Sequence, residues 1–547
     1  MDFTLVQKPQ RYAGNEWNVI KKPHHEKIRI CIAYPDLYEV GMSNLGIRII
    51  YALLNQFSDV VCERVFAPGA DFAKLLASKH KKLTSLETRT PLDAFDVVGF
   101  NFNYELNYVR FLQILSLGGI PLRAQERKHH IVIGGGVSNP EPLAEFVDIF
   151  YLGEFEEGAQ HFVDALRCYR DKESRLKFLS EIDGFYVPRF YSVRFQNNRY
   201  SFEKVYQYAQ LPIRRVFVKD LNQSFYPVRW LVPHTAIVHD RAQIEIARGC
   251  PNRCTFCQAR SLYHPYRQKK VSSIMKLIKS IYERSGYENL SFLALSGSDY
   301  SSLGELIDEA LEYCQERRIG ISLPSLRITD FVGTLYKKLI PLKKTSLTIA
   351  VEAADEPLRC TLNKQIDIRA LFEAAKILYS LKIKHIKIYF MFGFHQENEE
   401  NLINIGAFLK KVHAESKLRV HASINAFIPK PFSLWEDYPM HDELLLRKKR
   451  SIILKHISHL SPVKISISDP RKSILEAVIS RGDRKLCSVI YRAFSQGVHF
   501  YEHAGHHWWK IWENSMHEEN IDYRFYLAAE TDNFPWSFIN VDPRPKT

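Results

Sequence analysis

The stretch Gln243-Ile244-Glu245-Ile246-Ala247-Arg248-Gly249-Cys250-Pro251-Asn252-Arg253-Cys254-Thr255-Phe256-Cys257 decides how the rest of the chain is read. It opens as a β-run, and Gly249 and Pro251 then break regular structure. Three thiols follow in the pattern C-x-x-x-C-x-x-C. On a continuous helix those spacings would align the thiols, but the glycine and proline oppose a helix, so a loop wrapping one metal centre is expected. A structural zinc site needs a fourth ligand. His264 is available, while the usual paired half, C-x-x-C or H-x-x-x-H, is missing. An iron–sulfur cluster on three thiolates instead leaves one iron open to chelate a small molecule, which is the more economical reading. The other cysteines, Cys31, Cys62, Cys168, Cys314, Cys360 and Cys487, are scattered singly, which suits one metal site in a reducing compartment better than a disulfide framework.

Towards the C-terminus, QIEIARG is the first of a series. LSFLALS from Leu290, IGISLPS from Ile319, SLTIAVE from Ser346, HIKIYFMFG from His385 and VHASINAFI from Val420 follow, separated by helical patterns such as 303–315 and 371–381. Units repeating at roughly 30 residues predict a barrel or partial barrel whose site lies at the C-terminal strand ends, where the cysteines fall. Towards the N-terminus, KIRICIAY, VVCERVF, DVVGFNF, HIVIGGG and DIFYLGE alternate with helical stretches near 45–56, 72–79, 104–117 and 161–169. That alternation predicts a doubly wound parallel α/β domain over 27–170, preceded by an extension at 1–26. Residues 171–240 read as a β-rich connector with a hairpin turning at QNN. The barrel core takes 241–435, and 436–547 forms a C-terminal α+β segment. The basic run Arg447, Lys448, Lys449, Arg450 in that segment reads as a solvated helix face.

Composition agrees with a folded, multidomain chain. At 547 residues, 46% hydrophobic and 25% charged, it is neither disordered nor a coiled coil. No apolar run approaches the roughly 18–20 residues of a membrane span, and the opening residues lack a signal peptide's apolar core, so a cytoplasmic address without a membrane partner is expected. Lys plus Arg number 75 against 61 Asp plus Glu, and the net charge of +14 favours anionic partners, nucleic acid among them.

The cysteine pattern, with Phe256 before its last thiol, resembles the signature of the radical SAM superfamily, C-x-x-x-C-x-aromatic-C after the first strand of a partial (β/α)6 barrel. The resemblance implies that Cys250, Cys254 and Cys257 hold a [4Fe–4S] cluster whose open iron takes the amino and carboxylate groups of S-adenosylmethionine. An electron from an unidentified donor then cleaves that cofactor to a 5′-deoxyadenosyl radical. Ser296, Gly297 and Ser298, followed by Asp299, stand where the family carries a Gly-Gly-Glu-like turn against the methionine amino group. Glu352 in Val351-Glu352-Ala353-Ala354 is similar to the family's E-S/A-G turn. Arg359, beyond it, is expected to meet a carboxylate or to pair with Glu356. Gly393-Phe394-His395-Gln396-Glu397 stands in place of G-L-P-x-E without its proline, and the segment 425–431 ends the sixth strand as in the B12-binding branch.

That branch places a cobalamin-binding α/β domain ahead of the barrel, and residues 27–170 resemble it. Asp36-Leu37-Tyr38-Glu39-Val40-Gly41 lies where D-x-H-x-x-G is found, with Tyr38 in place of the cobalt-ligating histidine, so histidine-ligated cobalamin is disfavoured. Asp36, Gly41, Gly134 and Gly135 are the cobalamin-side candidates, with a tight turn as the other reading of the glycine triplet 134–136. Gly153-Glu154-Phe155-Glu156 matches the closing G-E-x-E turn. Ser322-Leu323-Pro324-Ser325-Leu326-Arg327 and Ser480-Arg481-Gly482-Asp483-Arg484 complete the subfamily's motifs, and Arg481, Asp483 and Arg484 either grip an anionic substrate or form a buried salt-bridged turn. The implied protein is a radical SAM enzyme with methyl transfer favoured, cobalamin a candidate cofactor and tRNA or rRNA a candidate substrate. The competing reading is a non-catalytic cobalamin- or RNA-binding module with a structural metal site.

Overall fold

The computed structural model describes residues 3–323, 346–457, 463–499 and 507–541. Strand β1 (Ile28–Tyr34) is apolar at nearly every position, the composition of a strand covered on both faces. It pairs in parallel with β2 (Val60–Phe66) and β3 (Val97–Asn101). Strands β4 (Ile131–Gly135) and β5 (Ile149–Tyr151) extend the sheet in parallel, and β6 (Phe185–Tyr186) adds an antiparallel edge, giving the order 2-1-3-4-5-6. The helices Leu45–Leu54 and Phe155–Cys168 pack together, as do Ala70–Ser78 and Tyr108–Leu117. This is the doubly wound α/β architecture expected from the strand–helix alternation. Its connections diverge between β1 and β3, which leaves a crevice outside their carboxyl ends.

The charges within β2 are paired. Arg64, fully buried, reaches Glu16 at 3.0 Å and Glu87 at 2.6 Å. The N-terminal extension is therefore pinned to the sheet by a charge that the core tolerates only in company. After the sheet, β7 (Tyr191–Gln196) and β8 (Arg199–Lys204) form the expected hairpin. Its turn residues Asn197 and Asn198 have φ of 48° and 62°, the left-handed pair that a two-residue hairpin turn demands and asparagine accepts. A short strand β9 (Ile213–Arg214) follows.

The second unit begins with β10 (Ala242–Glu245). The short antiparallel pair β11 (Ala247–Arg248) and β12 (Arg267–Gln268) brackets the cysteine loop. Parallel strands β13 (Asn289–Leu293) and β14 (Gly320–Ser322) join β10, and β15 (Ser346–Glu352), β16 (His385–Phe392) and β17 (Arg419–Ala426) form a second parallel run. The helices between them are amphipathic; Val271–Ser285 buries Val271, Ile274, Met275, Ile278 and Ile281 at helical spacing. Residues 324–327 of the S-L-P-S-L-R motif lie outside the described residues.

Two expectations for the C-terminal segment are corrected. A further parallel strand, β18 (Val463–Ile467), pairs with β17, so the strand series runs one beyond the six read from sequence. The basic run is also not a uniformly solvated face: Lys449 is buried against Glu397 at 2.9 Å, while Arg447 pairs with Glu443 at 2.6 Å. The helix Leu486–Ser495 packs on Tyr108–Leu117 of the first domain, and β19 (Ile539–Asn540) returns to pair with β9, so this segment binds both units.

Candidate functional site

Gly249 turns the chain into the cysteine loop at φ 89°, and a Cβ there would stand 2.6 Å from the carbonyl oxygen of Tyr263. Only glycine fits this left-handed, crowded corner. Cys250, Cys254 and Cys257 follow, none fully buried, and Cys257 stands at the N-cap of the helix Gln258–Leu262. The loop is stitched to three strand ends. Asn252 Nδ2 donates to Asp299 Oδ2 at 2.9 Å beyond β13. The Thr255 amide donates to Leu362 O at 3.1 Å beyond β15, and Trp435 N donates to Thr255 O at 3.2 Å beyond β17. Phe256 packs on a small apolar cluster at the same end, built from Ala353, Leu358, Leu362, Phe394 and Phe427 with Trp435 and Tyr438 alongside.

Burial pushes the thiols of Cys254 and Cys257 up, and the nearby Lys364 ammonium opposes this. Two buried polar atoms on the segment, Thr255 Oγ1 and Arg260 Nη1, meet no partner from the chain. Among the described residues, no three His, Cys, Asp or Glu side chains gather around a single point as one ion requires. A [4Fe–4S] cubane takes its thiolates on separate irons, so three cysteines on one loop suit it and leave its fourth iron open. Orphaned polar atoms beside them give an anionic cluster and its ligand something to meet. The donor set fits a [4Fe–4S] cluster with S-adenosylmethionine.

Glu352 ends β15 with φ 68°, after a register shift between Ala350 and Glu352 against β16. A non-glycine residue held left-handed is strained, and such strain concentrates at functional sites. The residue is 9% exposed, and its carboxyl is pushed up by burial, with Lys364 Nζ at 3.7 Å opposing. Arg359 holds the turn by donating to Ala353 O at 3.0 Å and Ala354 O at 2.6 Å. Ser296 is buried ahead of the turn Gly297–Asp299, which places Ser296, Gly297 and Ser298 at the end of β13 beside the loop. Glu397 folds back to accept from Gly393 N at 2.8 Å. Of the 480–484 motif, Asp483 accepts from Tyr526 at 2.9 Å and Tyr200 at 3.1 Å, and Arg484 reaches Glu141 at 3.0 Å. Buried Arg481 donates from Nη1 to Tyr438 O at 2.9 Å and its Nη2 meets no partner among the described residues, so Asp483 and Arg484 are paired within the fold and Arg481 only in part.

The first domain contains a cavity of about 280 Å³. Ile32, Gly99 and Ile133, adjacent in register across β1, β3 and β4, form its floor, and Phe155 and Phe162 line one wall. Its mouth carries Asn101 and Gly135 at the strand ends and Asn44 at the N-cap of the helix Leu45–Leu54, together with Glu245, Arg248 and Tyr263 from the second unit. A Cβ on Gly135 would meet nothing closer than Tyr151 O at 3.7 Å, an ordinary contact, so a side chain is accommodated there. Gly134, which also lines the cavity, is glycine for packing: a Cβ there would stand 2.8 Å from Phe102 and 2.9 Å from Phe150.

Asp36 and Gly41 do not line this cavity. Asp36 is paired with Arg110 and accepts from Asn107 Nδ2 at 3.2 Å. Gly41 lies under the Phe66 ring, where a Cβ would come to 2.3 Å. Tyr38 is buried, its hydroxyl donating to Glu16 Oε1 at 3.0 Å. The D-x-Y-x-x-G segment is thus a packed corner beside the N-terminal extension.

An ion cluster joins the cavity to the cysteine loop. Glu154 receives Arg248 at 2.8 Å, Arg267 at 2.8 Å and Arg215 at 3.5 Å. Arg248 also reaches Glu156 at 2.9 Å and Glu245 at 2.8 Å. In the sequence Glu154 and Glu156 stand in one motif and Arg248 beside the cysteines, with nothing to connect them. Thr255 and Arg260 were missed altogether, since an orphaned atom is visible only once the surrounding chain is placed.

Comparison with known proteins agrees with this geometry. Residues 46–188 match the family model for the N-terminal part of radical SAM proteins, and residues 244–409 match that of the radical SAM superfamily. An uncharacterized protein of Methanocaldococcus jannaschii is 25% identical over 463 residues, covering 84% of this chain and 90% of that one. The ribosomal protein uS12 methylthiotransferase RimO of Desulfotalea psychrophila is 24% identical over 181 residues, and the match spans only 40% of that relative. The radical S-adenosylmethionine methyltransferase TsrM from Kitasatospora setae, solved with cobalamin and a [4Fe–4S] cluster, shares the fold at a TM-score of 0.52 and 12% identity, over 90% of this chain and 99% of that one. Among the described residues no helix is long and apolar enough to cross a membrane. With its C-x-x-x-C-x-F-C loop at the strand ends of a parallel βα unit, behind a doubly wound α/β domain, this chain belongs to the radical SAM superfamily of enzymes.

Proposed function

We propose that the protein is a cobalamin-dependent radical SAM methyltransferase acting on RNA. The observation that carries the cobalamin part is the cavity whose floor lies in the first domain and whose mouth includes Arg248 and Glu245, immediately ahead of the cysteine loop. It lies at the switch point of a doubly wound sheet, where such folds take their ligands, and Gly135 leaves its mouth clear. The packing of Tyr38 away from this space supports a cobalamin held without a histidine ligand. The net charge of +14 supports a polyanionic substrate.

When bound, the cluster and S-adenosylmethionine supply one-electron cleavage chemistry, and cobalamin supplies a methyl carrier. Cys250, Cys254 and Cys257 would hold three irons, and Glu352, together with Ser296, Gly297 and Ser298, would accept from the amino and ribose groups of S-adenosylmethionine. Phe256, Trp435 and their apolar neighbours keep water from this end of the strands. The carboxylates around Arg248 fix the distance between cavity and loop.

The test is anaerobic reconstitution followed by two titrations. Iron and sulfide uptake with dithionite-dependent release of 5′-deoxyadenosine, abolished in Cys254→Ala, is expected, as is a visible-spectrum change on adding cobalamin without histidine-bound features. Protein that loads the cluster but leaves the cobalamin spectrum unchanged sinks the methyl-transfer reading. Nucleoside mass spectrometry of RNA from cells carrying wild type or Cys254→Ala tests the substrate; identical nucleoside profiles count against RNA.

A further inference from the structure

We infer that Arg260 is a positive charge built against the iron–sulfur cluster, where it raises the cluster's reduction potential. The inference rests on reading Cys250, Cys254 and Cys257 as cluster ligands. Arg260 lies on the short helix Gln258–Leu262, three residues after Cys257. The residue is only 4% exposed, and its Nη1 has no acceptor. Burial and the Arg253 guanidinium oppose its charge, while the thiols of Cys254, Cys257 and Cys250 favour it. Arg64, Arg248 and Arg267 rest on carboxylates, and the buried Arg48, Arg359 and Arg481 donate to backbone carbonyls. A guanidinium withdrawn from water without a counterion is costly, so Arg260 is placed for an anion that the chain itself does not provide.

A thiolate-ligated cluster is such an anion, and it gains a further negative charge when a low-potential one-electron donor reduces it, with no bond made or broken. A fixed cation beside it stabilises the reduced form more than the oxidised one; net charge and hydrogen bonds to the sulfurs are among the factors that set such potentials. Arg260 is thus a positioning residue for the electron-transfer step. The carboxylate of S-adenosylmethionine is the other anion due at this place, and the test separates the two.

Full-length Arg260→Gln and Arg260→Lys, reconstituted anaerobically, are titrated with dithionite and mediators in the absence of S-adenosylmethionine, with the reduced cluster followed by EPR and iron and sulfide counted. The expected result is that the Gln variant keeps its iron but is about tenfold harder to reduce, about 59 mV lower for one electron, while Lys stays within threefold of wild type. If the Gln variant loads no iron, Arg260→Met takes its place as the neutral variant, with the same fall expected and an unchanged midpoint again overturning the role. An unchanged midpoint in Arg260→Gln overturns it, and a fall in S-adenosylmethionine affinity alongside would place the guanidinium on that carboxylate instead. Equal shifts in Gln and Lys also overturn it, since they report packing and not charge. Wild-type protein that takes up no iron refutes the cysteine reading, and this inference with it.

Discussion

Arg248 Nη1 donates to Glu154 Oε2 at 2.8 Å, joining the residue two positions before Cys250 to the N-terminus of the helix Phe155–Cys168. Glu154 is the common acceptor for three arginines, and Arg248 the common donor to three carboxylates. Removing one partner of a buried pair strands the others, at a cost of about 3–5 kcal/mol. Glu154→Gln is therefore expected to lower unfolding stability by about 3 kcal/mol in urea titrations. The pH dependence has a definite sign. Burial alone would raise the Glu154 carboxyl, but the hydrogen bond from Arg267 and the charges of Arg248 and Arg267 outweigh it and hold it below its ordinary value. Its contribution is complete above the unfolded carboxylate value of about 4.3 and is lost as pH falls through the folded one. The gap between wild type and variant should narrow below about pH 4.3; a gap constant with pH would mean that packing, not charge, sets it.

Gly135→Leu probes the cavity without touching the cluster. A Cβ is accommodated at this position, and the remaining leucine atoms project into the space where cobalamin is proposed to enter. The variant is expected to load iron and sulfide like wild type while its cobalamin affinity falls at least tenfold, which is about 1.4 kcal/mol. Visible titration with cobalamin checks it. Unaltered affinity would show that the ligand, if bound, lies elsewhere.

Both βα series were legible because buried parallel strands are near-continuous apolar runs, and β1, β3 and β4 carry little else. The Asn197-Asn198 turn was legible because the hairpin chemistry is local. Strand β18 was not, since at the edge of its sheet it exposes alternate residues and reads as part of a mixed tail. The basic run misled because charge in a sequence does not reveal pairing: Lys449 points inward to Glu397 at 2.9 Å, and only the fold brings that carboxylate to it. The cysteine loop could be read from one segment. Its supports, Asn252 with Asp299, Thr255 with Leu362 and Arg248 with Glu154, join residues from 47 to 107 positions apart, a range over which sequence spacing carries no signal.

Glu352 offers a trade between stability and binding. Its left-handed backbone, φ 68°, costs about 1–2 kcal/mol in a residue with a Cβ and little in glycine. Glu352→Gly relieves that strain but loses the 3.7 Å pair with Lys364, so its unfolding stability is expected to match or exceed wild type by up to about 1 kcal/mol. With the carboxylate proposed to meet the cofactor gone, S-adenosylmethionine affinity of the reconstituted protein should fall at least tenfold by calorimetry. Retained affinity would reduce Glu352 to a structural corner.

Tyr38 is the test of how the first domain differs from histidine-ligated relatives. Its hydroxyl donates to Glu16 Oε1 at 3.0 Å, and its ring meets Phe66 edge-on with centroids 5.3 Å apart. The side chain therefore faces the pinned N-terminal extension, not the cavity. Tyr38→Phe leaves a buried carboxylate oxygen one donor short, at a cost of about 1–3 kcal/mol, read as a shift in the urea midpoint with unchanged slope. Tyr38→His is expected to destabilise the protein without creating a cobalt ligand, because an imidazole in the same packed corner remains against Glu16 and Phe66. A histidine-bound cobalamin spectrum in that variant would show that this corner opens to the ligand in solution.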